Sequence, residues 1–277
     1  MSSLEIIVDK ILKFLEKQPK PEGRPFILGI SGPQGSGKST LASALDTELT
    51  RKNESVVKFS LDDFYLTHAE QVELAKNNPN NPLVQHRGLA GTHDVTFLNN
   101  VLNAFVKGSD EEVSIPFYDK SKFGGYGDRG DESQWKKANP KTTTYVIFEG
   151  WMVGFEPLDS CMLSVRARST RWQNIEGSLL WVNRKLADYQ PIFQKIDSLV
   201  ELEAQEINYV YRWRLQQEHA LKARIHKGMS DEEVIEFVNH YMPQYVFYLG
   251  TLSNKVHLNP HCLEIILDEN RYPVVMH

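Results

Sequence analysis

Eight consecutive residues, Gly32-Pro33-Gln34-Gly35-Ser36-Gly37-Lys38-Ser39, have the types and spacing of a phosphate-binding loop. Glycines let the backbone wrap an anion with several N–H groups turned inward. The lysine that follows can reach the β- and γ-phosphates, and the next serine offers a hydroxyl to Mg²⁺. The motif requires a strand before it and a helix after it. Phe26-Ile27-Leu28-Gly29-Ile30 is an apolar, strand-type run, and residues 40–51 read as a helix whose N-terminus adds partial positive charge. Residues Gly32 to Thr40 are therefore candidate nucleotide contacts, and the chain is expected to bind a nucleoside triphosphate. A glycine-rich turn matching by chance is the plainer reading, and the flanking pattern opposes it.

Phosphoryl transfer also needs acids near the γ-phosphate, one to orient and deprotonate the attacking hydroxyl and one to hold the metal. In open α/β sheets ligands sit at the carboxyl ends of strands. A second strand, 56–60, ends on Leu61-Asp62-Asp63-Phe64-Tyr65, and a later one, 145–148, ends on Glu149-Gly150-Trp151. Asp62 is the candidate base, and Glu149 joins Ser39 as a candidate Mg²⁺ ligand. The plainer readings are a turn-capping pair for Asp62-Asp63 and a surface acid for Glu149.

These groups need a scaffold. Leu4, Ile7, Ile11, Leu12 and Leu15 recur at helical spacing, which predicts an amphipathic helix over 3–17. Further helices are expected at 68–76, 94–106, 175–189, 205–225 and 231–249, with strands at 198–202, 262–267 and 272–276. The stretch 107–143 reads as long loops with an extended piece at 113–118, and 152–171 as irregular. Strands alternating with helices predict an α/β fold, a doubly wound, mainly parallel sheet flanked by helices. One domain over 1–277 is expected, with 77–135 and 150–175 as acceptor-side insertions and 205–228 as a lid.

Composition narrows the class. The chain has 277 residues and a net charge of −5, with a pI near 6.0, against the basic excess of a nucleic-acid binder. No apolar run reaches the length of a membrane span. The two cysteines, Cys161 and Cys262, lack metal-site or disulfide spacing. The N-terminus carries Glu5, Asp9 and Glu16 rather than a signal, so a cytoplasmic location is expected, with nuclear entry left open. GTPase motifs are missing; Asn254-Lys255-Val256-His257 lacks the acid that reads guanine.

Ser60-Leu61-Asp62-Asp63-Phe64-Tyr65 and Phe148-Glu149-Gly150 resemble segments of the uridine kinase, phosphoribulokinase and pantothenate kinase group. A closer resemblance is to the D-glycerate 3-kinase family and its fungal ATP-dependent kinase relatives. It is carried by residues 32–40, 60–67, Gly88-Leu89-Ala90-Gly91-Thr92-His93-Asp94, Tyr118-Asp119-Lys120-Ser121, Gly127-Asp128-Arg129, 148–151 and 211–218. Ala90 stands where that pattern has proline. The resemblance implies ATP, Mg²⁺ and phosphorylation of a small hydroxylated acceptor such as D-glycerate, with Asp62 as base and Glu149 on the metal side.

Arg87, Lys120 and Arg129 lie in matched loops and suit an acidic acceptor. Asp63, Tyr65, His93 and Asp94 are further acceptor-side candidates, although Asp94 equally suits a helix cap. The segment 211–218 implies a lid arginine, Arg214 before Arg212, that neutralises transition-state charge with Lys38. The plainer reading there is an Arg214–Glu218 helix ion pair. Another acceptor of the same kinase group, or a regulatory nucleotide binder without transferase activity, are the competing functions.

Overall fold

Buried parallel strands read as continuous apolar runs because both faces are covered, whereas strands nearer an edge alternate. This computed structural model, which describes residues 2–226, 228–252 and 261–277, follows that rule. In chain order the first elements are α1 (Ser3–Leu15), β1 (Phe26–Ser31), α2 (Lys38–Arg51), β2 (Val56–Ser60), α3 (His68–Asn77) and α4 (Val95–Lys107). Then come β3 (Val113–Ile115), β4 (Tyr118–Asp119), β5 (Asp128–Arg129), β6 (Lys136–Ala138), β7 (Tyr145–Gly150), α5 (Ser160–Arg168), α6 (Glu176–Leu186) and α7 (Gln190–Phe193). The chain continues through β8 (Ser198–Ala204), α8 (Tyr209–Ile225), α9 (Asp231–Tyr248), β9 (Cys262–Leu267) and β10 (Pro273–Met276).

Among the described residues, six strands form one sheet in the order β10-β9-β8-β1-β7-β2, parallel except for the β9–β10 hairpin. Central β1 and β7 are buried at every position, while β2 and β9 alternate. The chain leaves β1 for β7 and β2 on one side and for β8 and β9 on the other. The loop after β1 therefore sits where the strand order reverses, the usual ligand crevice of such sheets.

Helices close both faces. α1 opens on a Ser2–Glu5 capping box and buries Ile7, Val8, Ile11 and Leu15. α4 buries Leu98, Val101, Leu102 and Phe105. These residues and the sheet interior belong to one buried apolar cluster.

Two expectations change. Residues 152–171 are not irregular throughout: Asp159 caps α5 through the Met162 amide, but the helix buries only Leu163 and Ala167 and leaves Met162 and Val165 exposed, so it carries no amphipathic pattern. The loops of 107–143 hold two small antiparallel ribbons, β3–β6 and β4–β5, and the extended piece at 113–118 is divided between them. Residues 254–257, where the guanine motif was sought, lie outside the described residues.

Candidate active site

The phosphate loop runs from Gly32 to the first turn of α2. Gly35 and Gly37 adopt φ of +78° and +98°, in the region that favours glycine. α2 has Gly37 at its N-cap and no side-chain cap, which leaves its first amides turned toward the loop. Lys38, 9 % exposed, donates from Nζ to the Pro33 carbonyl at 2.9 Å, across the loop. Burial lowers the ammonium pKa, opposed by the charges of Glu149 and Asp62. Thr40 is exposed on the first turn of α2.

Residues far away in sequence hold the loop from outside. The Gln34 amide donates to the Tyr245 hydroxyl at 3.1 Å. Arg271, in the β9–β10 turn, donates from Nε to the Gly35 carbonyl at 2.6 Å and lies over the Trp213 ring. Trp213 is fully buried, and a Cβ on Gly35 would stand 2.6 Å from its own Cβ. Gly35→Ala is therefore expected to destabilise the protein by about 1–3 kcal/mol, from the left-handed backbone and this contact. It should also weaken ATP binding; thermal melts and ATP titration check both.

The three acids divide their work. Glu149, 7 % exposed, aligns with Ile30 of β1 and Ser60 of β2 and accepts from Ser39 Oγ at 2.7 Å. Asp63 accepts the Ser60 amide at 2.8 Å in a capping box, so it takes the turn-capping part. It also faces the metal-side candidates rather than the acceptor loops: Ser39, Ser60, Asp63 and Glu149 line one recess of about 180 Å³. Burial, with the nearby charges of Asp62 and Glu149, pushes Asp63 up to about 6 against the opposing Ser60 amide. These groups are all hard oxygens with an excess of negative charge, a donor set that fits Mg²⁺, which is held by one or two carboxylates together with phosphate and water.

Asp62 is left free of the cap. Its Oδ1 accepts from the Tyr65 hydroxyl at 2.9 Å and its Oδ2 from Lys120 Nζ at 2.6 Å. Burial raises its pKa, but the Lys120 ammonium outweighs that and holds the carboxyl at about 2. The same partner raises Lys120.

Around this pair the acceptor-side candidates converge unequally. Tyr65 and His93 bridge through their backbones and stack with ring centroids 4.4 Å apart. Arg87 lies over Tyr118 and donates to the Gly125 carbonyl at 2.9 Å. Arg129 is committed to Asp94 at 3.0 Å and to the Tyr65 carbonyl at 3.3 Å, while the other Asp94 oxygen caps α4 through the Phe97 amide. Asp94 thus fills the cap and an ion pair at once. A larger cavity of about 530 Å³ is lined by Arg129 together with Thr67, His68, Phe123, Asp128 and Trp135, but it includes neither Asp62 nor the phosphate loop.

Arg214 is where the helix ion pair was expected. Its Nη2 stands 2.8 Å from Glu218, and its guanidinium lies over Phe237. Glu218, 2 % exposed, also accepts the Met229 amide at 2.7 Å and so ties α8 to the start of α9. Arg212 pairs with Glu269. Sequence reasoning missed Tyr245, Arg271 and Trp213 as loop supports; each is brought to the loop by tertiary packing alone.

Comparison with known proteins extends these observations. A family model described as Zeta toxin matches residues 9–88, from α1 through the phosphate loop and the Asp62 turn. The chloroplastic D-glycerate 3-kinase of Arabidopsis thaliana is 39% identical over 257 residues, covering 91% of this chain and 54% of that protein. The chain thus spans about half the length of that relative. A protein of Saccharomyces cerevisiae described as a probable ATP-dependent kinase is 37% identical over 283 residues, covering 96% of this chain and 94% of that one. A solved D-glycerate 3-kinase from Cryptococcus neoformans superposes with a TM-score of 0.89 at 32% identity, over 100% of this chain and 99% of that chain. With agreement at this level along essentially the full length of two of these relatives, the chain belongs to the D-glycerate 3-kinase family of ATP-dependent P-loop kinases.

Proposed function

We propose that this protein transfers the γ-phosphate of ATP to a hydroxyl of a small carboxylate, with D-glycerate as the first candidate. The observation that carries the reading is the Lys120–Asp62 pair. It places a carboxylate that can receive a hydroxyl proton beside a cation that can receive an acceptor's carboxylate, at the end of β2, which β7 separates from the strand that feeds the phosphate loop. Residues 77–135 and 150–175 form the acceptor side in this proposal, and 205–228 the lid.

A carboxylate held at about 2 is a weak base. Lys120 is 58 % exposed and reaches Asp62 on a flexible stem, so it can exchange partners. When the acceptor's carboxylate takes the ammonium, burial becomes the dominant influence on Asp62 and raises its basicity. Asp62 then orients the hydroxyl in line and accepts its proton as the new P–O bond forms and the bond to the ADP oxygen breaks. Lys38 and the amides of the loop neutralise charge on the transferring group. Ser39 and Glu149, with Asp63 beside them, would hold Mg²⁺, which when bound offsets the charge of the β- and γ-phosphates. Arg214 would reach the phosphates only by leaving Glu218, and its part remains within this proposal. So does a cytosolic location; no helix among the described residues is long and apolar enough to cross a membrane.

Purified protein assayed for acceptor-dependent ADP release with D-glycerate, pantothenate, uridine and ribulose 5-phosphate tests the reading. Turnover of D-glycerate supports it; turnover of another acceptor alone assigns that substrate instead. ATP consumption indifferent to every acceptor would support a regulatory nucleotide binder and sink the kinase reading.

The partner exchange predicts a pH effect. The free-enzyme Asp62 pKa is depressed from 3.8 to about 2, so wild-type kcat/KM for the acceptor should have no acid limb from this group at ordinary pH. In Lys120→Met the depressing charge is gone and burial remains, so an acid limb should move up into the measurable range as KM for the acceptor rises. A pH profile of the variant with its acid side unmoved refutes the coupling.

A further inference from the structure

Arg271 holds a backbone conformation that its residue type does not favour. Its φ is +63°, in the left-handed region where a side chain costs free energy. It lies in the turn between β9 and β10, where its amide donates to the Asp268 carbonyl at 2.9 Å and the Asp268 amide to the Tyr272 carbonyl at 2.9 Å. Hairpin loops of this kind end on a left-handed residue that is usually glycine. The Asp268 side chain secures the turn further, accepting the Asn270 and Tyr272 amides at 2.8 Å each. Nothing in these bonds calls for a side chain at position 271.

That side chain leaves the hairpin for the phosphate loop. Its Nε donates to the Gly35 carbonyl at 2.6 Å and its Nη1 to Gln216 of α8 at 2.8 Å, with the guanidinium carbon 5.3 Å from the centre of the Trp213 ring. Trp213 in turn donates from Nε1 to the Glu269 carbonyl at 2.7 Å, and its Cβ presses on Gly35. The turn, α8 and the phosphate loop therefore meet at Gly35.

The carbonyl and the N–H of one trans peptide point in opposite directions. With the Gly35 carbonyl drawn outward to Arg271, the Ser36 N–H faces into the loop. It reaches the Pro33 carbonyl at 3.3 Å, the same oxygen that Lys38 Nζ takes at 2.9 Å. Amide and ammonium thus stand on one side of the loop. A glycine has the freedom to turn its peptide over, and a carbonyl turned inward would repel phosphate oxygens.

We infer that Arg271 is a positioning residue for the nucleotide: by holding the Gly35 carbonyl outward, it keeps the Ser36 amide aimed at the phosphates before ATP enters. The unfavourable backbone at 271 is the cost of placing a donor there. Arg271 acts on the triphosphate through the loop and does not touch the base. The inference rests on nucleotide binding by the loop and not on the acceptor, so a protein that fails to phosphorylate D-glycerate strikes the proposed function and leaves this reading to be decided by binding.

Calorimetric titration of wild type, Arg271→Gly and Arg271→Met with ATP and with inorganic tripolyphosphate, which has no base, tests it. Arg271→Gly relieves the left-handed backbone as it removes the donor. Arg271→Met keeps a stem over Trp213 and removes the donor alone. Both variants should bind both ligands about 10-fold more weakly, the scale of one hydrogen bond from a charged group. Guanidinium ion at millimolar concentration, against matched sodium chloride, should restore part of the affinity of Arg271→Gly, a rescue that a generally loosened fold would not give. Weakened ATP binding with tripolyphosphate unaffected would put Arg271 on the base and overturn the inference. Wild-type affinity for both ligands in Arg271→Met overturns it too, as does a well-folded Arg271→Gly protein that guanidinium does not rescue. If Arg271→Gly melts far below wild type, the Arg271→Met titrations decide.

Discussion

Asp62→Asn is expected to lower kcat by about 10²- to 10⁴-fold, the range for loss of a positioned general base, while ATP affinity and thermal stability stay close to wild type. The local geometry separates these effects. The turn after β2 is capped by Asp63, whose carboxylate accepts the Ser60 amide, and Asp62 takes no part in that bond. The Asp62–Lys120 pair is 28 % and 58 % exposed at its two side chains, and pairs open to solvent add little stability. Asparagine keeps the shape and can still accept from Tyr65, but it cannot take a proton. Steady-state kcat and KM for ATP, with a thermal melt, check the prediction. A fully active Asp62→Asn protein would remove Asp62 from the proton-accepting role, and Glu149, the other acid near Lys38, would be examined next.

Lys38→Met should reduce kcat by at least about 10²- to 10³-fold, the scale for removing one transition-state charge contact, and should leave the melting temperature unchanged or higher. The second part follows from burial. The ammonium is nearly enclosed and donates to a loop carbonyl, and desolvation lowers its pKa. A charge held out of water at a functional site costs stability, and replacing it by an apolar chain of similar length relieves that cost. Activity and stability should therefore move apart. A Lys38→Met protein with wild-type kcat would show that the ammonium does not act on the transferring phosphate. A large loss of Tm would show that the lysine is mainly a structural strut for the loop.

Legibility in the sequence followed the range of the interactions involved. The continuous apolar runs of β1 and β7 announce doubly covered strands, and the helically spaced apolar stripe of α1 announces a helix, because each pattern is set by residues adjacent or three to four places apart. α5 lacked such a signal, since Leu163 and Ala167 alone face inward, and its presence rests on the Asp159 cap and on packing against α6. The Asp62-Asp63 pair was legible as important but not as divided: which acid caps the turn and which faces Lys120 depends on the pitch of a single 3₁₀ turn. Arg214 shows the converse. Its i,i+4 spacing to Glu218 is readable without coordinates, and that pair is the one present.

The sequence alone determined that an anion-binding loop lies between a buried strand and a helix, because eight adjacent residues and their immediate flanks contain everything that geometry requires. Tertiary structure alone decided which distant side chains complete the site. Arg271, Trp213 and Tyr245 reach the loop, Lys120 reaches Asp62, and Tyr189 reaches His93 across separations of 58 to more than 200 residues. Such contacts are selected by how helices and loops pack on the twisted sheet, and no short-range pattern of residue types encodes that packing.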